Sequence, residues 1–201
     1  MKLRSTLVAA ALMGAATATA TAQDKKTEDQ AQQHAPQWQE FQSPERGFAV
    51  AFPSTPQATS AAVAGQNPLV RYSYETYEGG DAVYRVVVLE YPAGRAPNPP
   101  DEAFYVRMVS AYAKDSASQV RKRGPATIAG RPGFEAITDD GKGKINHLVS
   151  IVPAGDRIYM LISTGPRGHA TSDDAERFRD SFRVIDNTPQ STGSTSPAPS
   201  P

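Results

Sequence analysis

The stretch FEAITDDGKGKINHLVSIVPAGDRIYMLIST, from Phe134 to Thr164, holds three runs of alternating apolar residues separated by two turn signals. Successive side chains on a strand point to opposite faces, so Ile158, Met160 and Ile162 share one side. Asp140-Gly141 is a dipeptide of the kind that joins hairpin strands, because glycine accepts positive φ without a Cβ penalty. Placed there, the turn pairs Phe134–Asp139 with Gly143–Val152, setting Phe134 opposite His147 and Ala136 opposite Ile145. The second signal, Pro153-Ala154-Gly155-Asp156, reads as a four-residue loop before the strand Arg157–Thr164, and sets Met160 opposite Val149 and Ile162 opposite His147. Both turns then place Phe134, Ala136, Ile145, His147, Val149, Ile151, Ile158, Met160 and Ile162 on one face. A slip of one residue would move part of this set into water, so the two turns support one another.

Toward the N-terminus, Gly79-Gly80 reads as a two-residue loop between Val70–Glu78 and Asp81–Tyr91. It predicts Tyr72 opposite Val87, Tyr74 opposite Arg85 and Thr76 opposite Val83, with Tyr77, Tyr84, Val86 and Val88 on the other face. Apolar groups on both faces predict a hairpin covered on both sides. Further strands are expected at Trp38–Gln42, at Gly47–Phe52, where Phe48, Val50 and Phe52 alternate, and at Gln119–Ile128 before the Arg131-Pro132-Gly133-Phe134 turn. A helix over Asp101–Ser116 follows Pro99-Pro100 and sets Phe104, Met108 and Tyr112 at four-residue steps. Thr171 or Ser172 caps a second, with Asp173 and Asp174 in its first turn and Ala175, Phe178 and Phe182 as its buried stripe. Strands, helix, strands, helix is the order of an α+β protein: a largely antiparallel sheet packed with two main helices.

The first 22 residues, MKLRSTLVAAALMGAATATATA, read as a cleavable export signal with Lys2 and Arg4 before a short apolar run and Ala20-Thr21-Ala22 at the cleavage site. The apolar run is well short of the roughly 20 residues a membrane-spanning helix needs, so no membrane anchor is expected after cleavage near Ala22-Gln23. Cleavage takes Lys2 and Arg4 and no acid from a chain with 21 basic and 21 acidic residues, which leaves a formal charge of −2. That balance predicts no affinity for nucleic acid. The chain has no cysteine, so lipidation at cysteine, disulfides, thiolate metal sites and thiol nucleophiles are excluded. Residues 23–37 are polar without periodicity and residues 187–201 are rich in Ser, Thr and Pro; both are expected to be disordered. A single α+β domain over residues 38–186 remains.

Trp38-Gln-Glu-Phe41, Gly47-Phe-Ala-Val-Ala-Phe-Pro53, Pro56, Gly130-Arg-Pro-Gly-Phe-Glu135, Asp156-Arg-Ile-Tyr-Met-Leu161 and Arg177-Phe-Arg-Asp-Ser-Phe182 resemble a widespread set of exported bacterial proteins of unknown function. Their architecture resembles the PsbP-like α/β/α sandwich, named for an extrinsic photosystem protein and shared with a small Ran-binding nuclear protein. The resemblance spans roughly Trp38 to Val184. It implies this fold and an accessory or binding role, and carries no functional residue to this chain.

The chemistry-bearing candidates are few. His147 is expected to be a hydrogen-bonded core histidine, since buried polar groups take local partners. His34 falls in the polar leader and His169 in a loop; with no ligand spacing among the three histidines, no metal site is expected. Gly165-Pro-Arg-Gly-His169 precedes a helix start, where backbone N–H groups hold anions, so Arg167 and His169 are candidate contacts. Arg121-Lys122-Arg123, with Lys142 and Lys144 on neighbouring strands, offers a basic patch for an acidic partner, set against the ordinary use of such residues to protect a sheet edge. Tyr72, Tyr74, Tyr77, Tyr84 and Tyr91 crowd one hairpin, in which Tyr77 and Tyr84 are candidate recognition residues. No G-x-S-x-G or paired-carboxylate motif points to an enzyme, and no motif requires a cofactor. The chain is expected to be a periplasmic or secreted, non-catalytic accessory domain with an envelope protein as partner, then a small-ligand-binding protein, and at a distance an envelope hydrolase. A pocket of a few hundred Å³ with convergent polar groups would favour the ligand over the protein partner.

Overall fold

The computed structural model describes residues 37–63, 70–78, 82–97 and 99–185. The expected leader, the polar segment as far as residue 36, the Ser/Thr/Pro tail and the Gly79-Gly80 turn lie outside them. Strands β1 (Gln39–Ser43) and β2 (Phe48–Phe52) are followed by β3 (Gln57–Ala62), β4 (Val70–Glu78) and β5 (Ala82–Glu90). Helix α1 (Glu102–Asp115) comes next, then β6 (Gln119–Ile128), β7 (Arg131–Asp139), β8 (Ile145–Ala154) and β9 (Arg157–Pro166), helix α2 (Asp173–Asp180) and β10 (Arg183–Val184).

Seven strands form one antiparallel sheet in the order β3-β4-β5-β9-β8-β7-β6, and β1, β2 and β10 form a second, smaller one. The fold is the α+β arrangement expected, and both faces of the large sheet carry packed elements, one of them over only part of its width. One face packs on α1 through Val87, Phe134, Val149, Ile151, Ile158 and Tyr105. The other packs on the small sheet and α2 through Phe48, Phe52, Tyr84, Val86, Val88, Phe178 and Phe182. Both helices are capped as their sequences require: the Asp101 side chain accepts from Phe104 N at 2.7 Å and the Ser172 hydroxyl from Ala175 N at 3.3 Å.

Three pairings differ from the expected ones. In the β4–β5 hairpin Tyr72 faces Val88, Tyr74 faces Val86 and Thr76 faces Tyr84, a displacement of one residue that leaves three residues between the strands instead of two. One residue reverses a face, so Tyr84 joins Tyr72 and Tyr74 and parts from Tyr77. In the β7–β8 pair Phe134 faces Ile151 and Asp139 faces Asn146, displaced by four; in β8–β9 Met160 faces Ile151 and Ala154 faces Arg157, displaced by two. Even displacements conserve the faces, which is why the expected core set survives wrong partners. Ile145 is the exception, 44% exposed at the start of β8.

Strand β3 has no counterpart among the expected elements. Its sequence QATSAA is exposed throughout, an edge strand with no apolar alternation to announce it. Strand β10 pairs with β2, and Arg183 is ion-paired with Glu40 of β1, so the chain after α2 closes the small sheet.

Candidate functional site

Seven strands spaced by about 4.8 Å make a sheet about 29 Å wide, whereas a helix with its side chains is about 10–12 Å across. One helix therefore leaves much of a face uncovered. Helix α1 packs toward β7 and β8: the Tyr105 ring stacks on Phe134 at 5.2 Å with 7° between the planes, and Val109 and Ala113 are buried. The half of the face formed by β4, β5 and β9 lies open beside it as a cleft of about 700 Å³.

The direction of α1 follows from its contacts. Tyr105 sits at the level of Phe134, which pairs with Ile151, which pairs with Met160, which pairs with Val87. Two turns later the Tyr112 hydroxyl lies 2.8 Å from His147 Nδ1, and His147 pairs with Thr164, which pairs with Val83. Seven helical residues span about 10 Å and four strand residues about 13 Å, so α1 runs antiparallel to β5 along the whole cleft. Its floor is Leu89, Val87, Val83, Met160 and Ile162; Phe104, Met108, Ala111 and Tyr112 make the helical wall.

The polar groups sit at the ends and along one side. Arg71, opposite Leu89 in the β4–β5 pair, lines the cleft at its Leu89 end, and Arg107, one turn after Phe104, lines it on the helical wall in the first half of α1. Arg85 is held by an ion pair to Glu75, its neighbour across the strands. His147, Thr164, Ser116 and Asp115 line the other end. His147 is buried, with Nδ1 at 2.9 Å from the Thr164 hydroxyl as well as at 2.8 Å from that of Tyr112. Burial pushes its pKa down, against the pull of Asp140 and Asp139 and with a further push from His169. It is the hydrogen-bonded core histidine expected, although its strand partners are Thr138 and Thr164 rather than Phe134 and Ile162.

The residues singled out in the sequence are dispersed. Tyr84 is wholly buried on the opposite side of the sheet, edge-on to Trp38 at 5.0 Å and tilted on Phe178 at 5.3 Å, so it belongs to the core and to no recognition surface. Tyr72 lies under the Arg46 guanidinium, 3.6 Å from its centroid, and the Tyr74 hydroxyl bonds to Ser43 at 3.2 Å. Tyr77 alone of the pair is exposed, at 59%, on the cleft's side of the sheet. His169 is buried in a short 3₁₀ turn with Nε2 on the Ser163 hydroxyl. A Cβ on Gly165 would run into its ring, so glycine there is what lets the imidazole lie against β9. Arg167 turns outward, donating from Nε to the Gly143 carbonyl at 3.1 Å. Arg167 and His169 thus form no common anion contact. Ser163 and His169 are both buried, and among the described residues no carboxylate hydrogen-bonds the His169 ring to complete a triad arrangement.

The basic run lies on β6, the outer strand, where a register shift occurs between Val120 and Lys122. Arg121 makes a two-pronged bond to Asp139, at 2.6 and 2.9 Å, and holds that carboxyl below its usual range. Lys122 and Arg123 are exposed. A bulge, Pro125 and three cations on one edge strand are the ordinary devices against edge pairing. Lys142 and Lys144 lie in the β7–β8 connection, not on strands.

Both buried histidines shape the pH dependence of stability. Burial depresses the pKa of His147 and of His169, whereas in the unfolded chain each takes up a proton near pH 6.5. The unfolded state therefore binds more protons below that pH, and stability falls as pH falls. The melting temperature should be level from pH 8 to 7 and decline between about pH 6.5 and 5, before carboxylates with pKa values near 4 respond. His147→Asn/His169→Gln should flatten the decline in thermal melts. A level profile down to pH 5 in the parent protein would show that both rings protonate freely in the fold.

The molecule is an α+β protein with the PsbP-like fold, and an arginine-flanked cleft lies beside its helix α1. Among solved structures it is similar to the solution structure of cyanobacterial PsbP (CyanoP) from Synechocystis sp. PCC 6803, with a TM-score of 0.53 and 13% identity over 75% of this chain and 94% of that one. A crystal structure from Bacteroides thetaiotaomicron VPI-5482 has a TM-score of 0.37 and 12% identity over 74% of this chain and 48% of that one. At these identities the likeness to CyanoP is one of fold. No family model and no curated protein matches the chain. No helix among the described residues is long and apolar enough to cross a membrane.

Proposed function

We propose that this is an exported, non-catalytic binding domain of the cell envelope that holds a small, largely apolar molecule in the cleft beside α1. The observation that carries this reading is the cleft itself: about 700 Å³, floored by five apolar side chains and flanked by Arg71, Arg85, Arg107, His147 and Thr164. Small-molecule sites have this size and this mixture of apolar lining with a few polar groups. The export signal at residues 1–22 supports a periplasmic or secreted location. A protein partner is supported less well, because the residues expected to meet it divide between the core, two faces and an edge.

The uncharged fluorophore N-phenyl-1-naphthylamine tests the cleft without reference to charge. Titrated into the purified chain, it should brighten with saturable, one-site binding. Ala111 is exposed and lines the cleft, so Ala111→Trp should fill the space, abolish the signal and leave the melting temperature close to that of the parent. No saturable binding, or equal binding by Ala111→Trp, would remove the cleft as a site.

A further inference from the structure

The cleft is polar in an ordered way. Arg71 stands at the Leu89 end and Arg107 on the helical wall in the first half of α1, and neither makes an ion pair among the described residues. Arg85 is different, since Glu75 neutralises it in place. Among the described residues the one carboxylate lining the cleft, Asp115, is eight residues beyond Arg107 on α1, about 12 Å along the helix. Between the two ends the floor and wall are Val87, Met160, Ile162, Met108 and Ala111, which offer a flexible apolar chain dispersion contacts and no hydrogen bond. Two methionines in such a lining adapt to a chain of variable shape. Two guanidinium groups that line one cleft and make no ion pair among the described residues match a carboxylate, which arginine binds by charge-assisted, fork-shaped hydrogen bonds.

We infer that the ligand is a single-chain carboxylate amphiphile, with its head group held by Arg71 and Arg107 and its chain lying along the Val87–Met160–Ile162 floor beneath Met108. The inference rests on the cleft being a ligand site, and it adds the polarity and direction of the ligand. A quaternary ammonium amphiphile would bring a cation to the arginines and is disfavoured by the same charges.

Competition against N-phenyl-1-naphthylamine separates the two readings. Dodecanoate should displace the fluorophore at concentrations at least about tenfold lower than dodecanamide, the uncharged analogue of the same chain, because hydrogen bonds between charged groups exceed neutral ones by about that factor. Dodecyltrimethylammonium should be the weakest of the three. Arg71→Gln/Arg107→Gln should abolish the preference for dodecanoate over dodecanamide, each read against the variant's own fluorophore affinity, while the melting temperature stays close to the parent value, since both side chains are exposed. Added salt should narrow the preference in the parent protein. Equal displacement by dodecanoate and dodecanamide, or a preference that survives the double substitution, would overturn the carboxylate assignment and leave the cleft as a site for neutral ligands. Absence of fluorophore binding, joined by no heat of dodecanoate binding in calorimetry, would overturn both.

Discussion

Val149→Asp should yield no folded protein, while Lys142→Asp, seven residues away on the same hairpin, should melt with the parent. Val149 has no exposed surface and sits between Ala136 on β7 and Ile162 on β9, in the core cluster under α1. A carboxylate there would lie among apolar side chains, and an unpaired buried charge costs several kcal/mol, a large part of the net stability of a domain. Met160 is the less severe site for the same change, because it lines the cleft and an aspartate there reaches water. Lys142 is exposed in the β7–β8 connection, where surface substitutions stay within about 0.5 kcal/mol. Circular dichroism and thermal melts distinguish the outcomes. A folded Val149→Asp protein would mean that the large sheet does not bury this face.

Tyr84→Ala should lower stability by about 3–5 kcal/mol, a fall in melting temperature of roughly 10 °C for a domain of this size, and Tyr77→Ala should change it little. Both tyrosines belong to one hairpin, yet Tyr84 is wholly buried among Trp38, Phe178 and His169, whereas Tyr77 is mostly exposed with its hydroxyl on Glu75. Removing the Tyr84 ring opens a cavity between the large sheet, the start of the small sheet and α2, and frees His169 from one of its packing partners. Equal melting temperatures for the two variants would restore the pairing expected from a two-residue turn, in which they share a face.

The contrast between these two residues explains why a recognition surface built from hairpin tyrosines dissolves in the folded molecule. Tyrosine is enriched both in half-buried strands and at interfaces, so composition alone does not choose between packing and binding. Burial does, and here it assigns Tyr72, Tyr74 and Tyr84 to packing between the two sheets. The cleft takes over as the best candidate site because its residues converge from β4, β5, β9 and α1. No local motif joins them: Arg71 and Arg107 are 36 positions apart in a chain with 21 basic residues.

The sequence by itself determined most of the elements, the antiparallel hairpins and most of the core set, because apolar alternation and turn dipeptides act over a few residues. The face shared by Phe134, Ala136, His147, Val149, Ile151, Met160 and Ile162 survived pairings displaced by two and four, since the side-chain period is two. The PsbP-like architecture was legible for the same reason. Strand β3 was not, because its six residues, Gln57 and five small ones, are exposed and obey no period. The β4–β5 register was misread by one residue at the Gly79-Gly80 turn; the alternative three-residue turn would have set Arg71, Glu75, Arg85 and Val87 on one face and pointed to the site. Only the tertiary structure decided where α1 lies across the sheet. That position follows from the stacking of Tyr105 on Phe134 and the hydrogen bond of Tyr112 to His147, contacts between segments far apart in the chain. A helix too narrow for a seven-stranded face has to leave part of it open, and long-range packing, which no local pattern encodes, selects which part.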